Sequence, residues 1–491
     1  MSVKLSLANL EKLPKSVTVP RYPRDNLTPG ILHFGVGNFH RSHQAVYLDR
    51  LFNTGKGLDW AIVGAGVFEG EKPAREKLRQ QDWLTTVVEQ DAGHRKAQVT
   101  GVMIDFITPG ETDDIVDMLA DPAIRIVSLT ITEGGYFIDP ASGKFNPGHP
   151  DIAADARDIG APKTVFGLIL AGLMRRREES LAPFTVMSCD NIPHNGDVTA
   201  DAVVGLAELV EKELADWVRD NVAFPNAMVD RITPATTDRE RAILASEFGV
   251  DDSWPVFCEP FMQWVLEDTF TAGRPALEEV GVQFVDDVSP FELMKIRILN
   301  GGHAAIAYPA GLLDIHFVHE GMEEPLVRDF LDKVEREEII PTVPPVPGVV
   351  LDEYYALVAR RFANPTIGDT IRRLCLDGSN RQPKFIIPTI ADRLKAGKGI
   401  EGLALESALW CRYCFGTTDS GAAIEPNDPN WARMNATAKA AKDDPSAWLA
   451  MADIYGDVGK NAIFAEAFSR HLKALWQDGT RATVGRYLGR A

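Results

Sequence analysis

A doubly wound α/β domain followed by a mostly α-helical one is what this sequence predicts. Three observations carry that expectation. Short runs rich in Val, Ile and Thr alternate with amphipathic stretches through the first half; helical periodicity alone occupies the chain after about residue 289. The length of 491 residues also exceeds what one ordinary core holds, so two domains are expected.

Four runs qualify as buried parallel strands: "GILHFGVG" (30–37), "WAIVGAGV" (60–67), "IRIVSLTIT" (124–132) and "FTVMSCDN" (184–191). They are rich in Val, Ile and Thr and are bounded by small or polar residues, which suits strands covered on both faces. The intervening "RSHQAVYLDRLFN", "PAREKLRQQ" and "ETDDIVDMLAD" supply amphipathic helices, and strand–helix alternation of this kind builds a parallel sheet with helices on both sides. The texture changes near "VQFVDDVSP" (282–290), which divides the chain into 1–288 and 289–491. Helices are then expected at "PFELMKIRILNG", "EEPLVRDFLDKVEREEI", "LDEYYALVARRFA", "KFIIPTIADRLKAG", "ALESALWCRYCF" and "NAIFAEAFSRHLKALW". The prolines of "IIPTVPPVPGVV" (339–350) forbid a continuous helix there.

Composition narrows the partners. With 51 basic against 70 acidic residues the net charge is −19, a field that disfavours nucleic acid and anionic membrane surfaces. A neutral small-molecule substrate is compatible with it. The opening "MSVKLSLANLEKLPKS" lacks the apolar core of a secretory signal, and "TVFGLILAGLM" is too short to span a bilayer. Five scattered cysteines argue for a reducing cytoplasm rather than a disulfide framework. Cys411 and Cys414 form a solitary C-x-x-C, best read as part of a buried helix, and the two histidines of "HFVHE" lack further spaced metal ligands.

"HFGVGNFHRSH" (33–43) leaves the first strand and enters a helix. Gly35 and Gly37, with Val36, Asn38 and Phe39 around them, take the first two glycine places of a dinucleotide fingerprint; His40 stands at the third. A tight turn there lets backbone N–H groups approach a pyrophosphate. At the second strand's end Glu69, with Glu71 behind it, is offered to the ribose hydroxyls, or else both merely solvate a loop. Their offset from the glycines exceeds the usual spacing of about 20 residues. A carboxylate there repels a 2′-phosphate, favouring NAD. Thr132 and Glu133, in "TITEGGY", close the third predicted strand at the ligand-facing edge. The N-terminal domain is therefore expected to be Rossmann-type.

"FELMKIRILNGGHAAIAY" (291–308) sets Lys295 in an apolar run. With an α-helical step, Asn300 and His303 lie at about 140° and 80° from it. A desolvated lysine can serve as general base for alcohol oxidation, with neutral amides holding the developing negative oxygen. Asn300 suits that role, as does Asn191 in "SCDNIPHNGD". Spacing alone equally allows a lysine that snorkels to water and an asparagine that caps a helix end at Gly301-Gly302. Glu292, one turn before Lys295, is either a proton relay or half of an ordinary surface pair.

Taken together, "GVGNFHRSHQAVYLDRL", "SLTITEGGY", "SCDNIPHNG", "KIRILNGGHAAIAY" and "DTIRRLCLDGSNRQPKF" resemble the mannitol dehydrogenase family of polyol-specific long-chain dehydrogenases, across nearly the whole chain. The resemblance implies metal-independent, NAD-dependent hydride transfer at C2 of a sugar alcohol such as D-mannitol, giving the ketose D-fructose. It implies Lys295 as base, Asn191 and Asn300 as the oxyanion pair and His303 as the substrate-orienting histidine. Asp230 and Arg373 match residues near substrate hydroxyls, with Lys384 a further candidate. His40 at the third glycine place is normal for the family, and a monomer is expected on family grounds. Hexuronate reductases and D-arabinitol dehydrogenases of the same family are the nearest alternatives; a non-catalytic NAD-binding sensor is the alternative of a different class.

Overall fold

The computed structural model describes residues 2–139 and 143–490. The chain divides into two compact units, Met1–Val288 and Ser289–Ala491.

The first unit is built on a five-stranded sheet: β1 (Pro29–Phe34), β2 (Ala61–Ala65), β3 (Met103–Phe106), β4 (Ile126–Leu129) and β5 (Thr185–Ser188). Their spatial order is β3-β2-β1-β4-β5 and every pairing is parallel. This is the order of a doubly wound sheet, which reverses direction between β1 and β4 and places ligands at the carboxyl ends there. The period-2 alternation of the strands feeds two cores. Leu32, Phe34, Val63, Ala65, Val127, Leu129 and Val186 face one side; Ile31, Ile62, Ile126 and Met187 face the other. All four strands expected from sequence lie in this sheet. The fifth, β3, escaped because it is an edge strand in which the exposed Asp105 interrupts the apolar run.

Three smaller sheets were not foreseen, the least of them the parallel pair Val3–Lys4 and Val250–Asp251. Thr85–Asp91 and His94–Thr100 form an antiparallel hairpin flanked by Val17–Thr18 and Val256–Cys258. β6 (Ala227–Asp230), β7 (Gln263–Glu267) and β8 (Gln283–Val285) make a three-stranded sheet in the order β6-β7-β8. The helix expected directly after the glycine turn is two helices, α1 (Asn38–Ser42) and α2 (Gln44–Phe52), broken at His43, which has φ −116° and ψ −87°.

Within the second unit the described regular elements are helical. One run passes from α3 (Ser289–Met294) through a π-helical turn, Lys295–Asn300, into α4 (Gly301–Leu312). α5 (Pro325–Val334) likewise continues into a π-turn, Glu335–Ile339. α6 (Leu351–Phe362), α7 (Ile371–Leu374), α8 (Gly378–Phe385), α9 (Glu401–Cys414) and α10 (Ala462–Tyr487, interrupted at Gly479) follow. α9 carries Cys411 and Cys414, and from Gly402 onward all its residues are buried.

Candidate active site

The glycine turn is held from below. Gly35 has φ +91°, and a Cβ there would lie 2.0 Å from the Thr130 carbonyl oxygen, so only glycine fits. Thr130 Oγ1 donates to the Gly35 carbonyl at 2.6 Å. His33, on β1, has Nδ1 2.7 Å from Ser128 Oγ and Nε2 3.0 Å from Thr130 Oγ1. Its ring stacks on His40 with centroids 3.5 Å apart. Burial pushes the His33 imidazole down to about 3 and His40 well below its ordinary value, so the pair is neutral. His40 thus fills the third glycine place with a ring packed onto the strand.

Gly37 differs. Its φ is an ordinary −110°, and a Cβ would meet only the Gly35 carbonyl oxygen, at 3.7 Å. Among the described residues nothing requires glycine there, and the open space leaves room for a ligand to approach the backbone closely. Val36 is buried; Asn38 opens α1, accepts from Arg41 Nη2 at 2.8 Å and donates to the Pro234 carbonyl at 3.1 Å; Phe39 stacks on His43.

At the end of β2 the two acidic candidates separate. Glu71 folds back to accept the Phe68 N–H at 2.9 Å, a capping contact. Glu69 projects outward, its side chain 77% exposed and paired with Lys72 at 2.7 Å. Thr132 and Glu133 follow β4, both exposed. Asn191 lies three residues past β5, also exposed. Asp230 is the last residue of β6 and is buried.

The second unit assembles the other group. Lys295 is only 8% exposed, so it does not snorkel to water. Gly301 has φ −63° and ψ −42° and the helix continues to Leu312, so Asn300 does not cap a helix end. The Gly301 N–H donates to the Ile296 carbonyl, five residues back. This wider turn accommodates an extra residue and swings Asn300 toward the face of Lys295 relative to the α-helical estimate. Glu292 is buried, which removes the surface-pair alternative.

His303 stacks on Phe362, centroids 4.3 Å apart, and its Nε2 is buried without a hydrogen-bond partner among the described residues. Burial pushes its pKa well below the ordinary value, and the charges of Arg373, Arg361, Arg381 and Lys295 push the same way. Arg373 forms a two-point ion pair with Asp369, whereas neighbouring Arg372 donates to the Glu425 and Pro426 carbonyls at 3.1 Å. The structure therefore separates the two arginines that the sequence left side by side. Lys384 is exposed near Asp377; Arg381, one turn earlier on α8, is the cation whose charge reaches His303. Behind the group, Glu335 occupies the space that glycine leaves at Gly302, where a Cβ would lie 2.9 Å from Oε1. It is fully buried, and burial holds its carboxyl well above the usual range.

The sequence did not single out Arg361, Arg381, Glu335 or Asp190. Asp190 alone had a signal, its place beside Asn191.

The family model described as Mannitol dehydrogenase Rossmann domain matches residues 29–279, and that described as Mannitol dehydrogenase C-terminal domain matches residues 287–476. The chain belongs to the mannitol dehydrogenase family. One family relative, mannitol 2-dehydrogenase of Cereibacter sphaeroides, is 59% identical over 479 residues, covering 97% of this chain and 100% of the relative. Among solved structures, the Pseudomonas fluorescens mannitol 2-dehydrogenase ternary complex with NAD and D-mannitol is 43% identical, with a TM-score of 0.89 and full coverage of both chains. Substrate-free D-sorbitol dehydrogenase is 34% identical with a TM-score of 0.90, covering 98% of this chain and 100% of that one.

Proposed function

We propose that this chain is an NAD-dependent polyol dehydrogenase that interconverts D-mannitol and D-fructose at C2. The observation that carries the proposal is the buried Lys295 on a π-turn with Asn300, followed by a neutral His303 whose Nε2 is left for a ligand. Family relatives of high identity, one of them in complex with NAD and D-mannitol, supply the substrate class.

NAD, when bound, supplies the hydride acceptor; the glycine turn, Glu69, Thr132 and Glu133 are the residues that would hold it. Lys295 takes the proton of the C2 hydroxyl as general base. Asn191 and Asn300 donate hydrogen bonds to the oxygen as it gains negative charge, which is effective because such donors are fixed before the reaction begins. A neutral His303 can accept from a substrate hydroxyl, which an imidazolium cannot. Asp230, Arg373 and Lys384 hold the remaining hydroxyls. Glu292, buried one turn from Lys295, passes the abstracted proton onward. The enzyme is further proposed to act as a cytoplasmic monomer; the burial of all five cysteines as free thiols supports a reducing compartment.

The D-sorbitol dehydrogenase likeness makes D-sorbitol the second substrate to try. A panel of D-mannitol, D-sorbitol, D-arabinitol and fructuronate against NAD and NADP, read by cofactor absorbance, tests the assignment. D-Mannitol with NAD is expected to give the highest kcat/KM. NADH binding without polyol turnover would make the chain a sensor instead.

A further inference from the structure

Thr132 adopts φ +63° and ψ 165°. That region belongs essentially to glycine, and for a β-branched residue it is a true outlier. The Thr132 side chain is exposed, so side-chain packing does not hold the conformation. Its backbone is held instead. The Thr132 N–H donates to Asp190 Oδ1 at 2.8 Å and the Ile131 N–H to Oδ2 at 2.9 Å. The Tyr136 hydroxyl donates to Oδ2 at 2.7 Å. Asp190 is buried, and its partners come from a segment 54 to 59 residues away in sequence.

Two more contacts extend the connection. Thr130 holds the glycine turn through the Gly35 carbonyl, and the Cys189 N–H donates to the Leu129 carbonyl at 2.8 Å. One carboxylate therefore ties the end of β4, already attached to the cofactor turn, to the end of β5, where the next residue is Asn191.

We propose that Asp190 is a positioning residue: its carboxylate clamps Thr132 in a glycine-only conformation and so fixes the backbone carrying Thr132 and Asn191 at the ligand-facing edge of the sheet. The proposal rests on the dehydrogenase function given above for its catalytic consequence. Misplacement by about 1 Å costs on the order of a hundredfold in rate, which sets the expected effect.

The test is a double-mutant cycle. Asp190→Ala is expected to lower kcat with mannitol and NAD by about a hundredfold, with a smaller change in the polyol KM. Adding Thr132→Gly removes the need for the clamp, because glycine enters this region without strain. The double variant should therefore regain about tenfold in kcat and melt higher than Asp190→Ala alone. Asp190→Asn keeps one acceptor and should fall between. Should Asp190→Ala fail to fold, Asp190→Asn with and without Thr132→Gly must show the same gain. Wild-type kcat in Asp190→Ala, or losses that simply multiply in the double variant, would overturn the clamp. A wild-type enzyme inactive on every polyol would overturn the function alone. The clamp would then stand or fall on the coupling in melting temperature.

Discussion

Gly35 and Gly37 occupy neighbouring places in one motif, yet only Gly35 is demanded by its surroundings. Gly35 cannot carry a Cβ because the Thr130 carbonyl oxygen is in the way, while the space beside Gly37 is open. Gly35→Ala should cost about 1–3 kcal/mol of stability, read as a lower urea midpoint. Gly37→Ala should leave stability within about 0.5 kcal/mol and weaken NADH binding, measured by fluorescence titration. Equal effects on both quantities at both positions would contradict this division. Lys295→Ala should lower kcat by about 10²–10⁴-fold with NADH affinity little changed. Near-wild-type kcat at neutral pH would remove Lys295 from the base role.

Elements decide what single residues can do. β1 carries His33 between buried apolar residues, and α1 returns His40 onto it, so two imidazoles share a site that admits no charge. In an unfolded chain a histidine titrates near 6.5. His33 is depressed to about 3, so its contribution to stability is present above pH 6.5 and is lost as pH falls toward 3. His33→Leu should flatten this acid limb in urea midpoints taken at several pH values, even though lost hydrogen bonds lower the midpoint at neutral pH. An acid limb as steep as that of the wild type would show that another group carries it. The π-turn at Lys295–Asn300 is the second case: an α-helix through the same residues would turn Asn300 away from the lysine.

Over the whole molecule, charge is placed by sign. The net charge of −19 is compatible with the uncharged polyol proposed as substrate, while Arg361, Arg373, Arg381 and Lys295 act together on His303. The second unit also buries a carboxyl in its core. Glu406, on α9, is fully buried, accepts from Gln382 Nε2 at 2.5 Å and is pushed up to about 8 by burial. Its folded pKa lies above the unfolded value near 4.3, so the stability it contributes is present below about pH 4.3. That stability is lost as pH rises toward 8. Glu406→Gln should therefore melt progressively higher than the wild type as pH is raised from about 5 to 8. A constant difference across that range would mean the carboxyl is not the source.

The sequence by itself determined the parallel sheet, the glycine turn, the helical second half and the family, because each is written in local periodicity or in contiguous motifs. The Asp190–Thr132 clamp, the neutral state of His303, the separation of Arg372 from Arg373 and the π-turn came only from the tertiary structure. Hydrogen-bond register, desolvation and the partners of a charge depend on residues brought together from distant parts of the chain. The break at His43 escaped for the same cause, whereas the hairpin at Thr85–Thr100 turns at Ala92-Gly93 and is local in sequence. His43 Nε2 lies 2.8 Å from the Gln263 carbonyl oxygen, a contact across 220 positions that no local pattern announces.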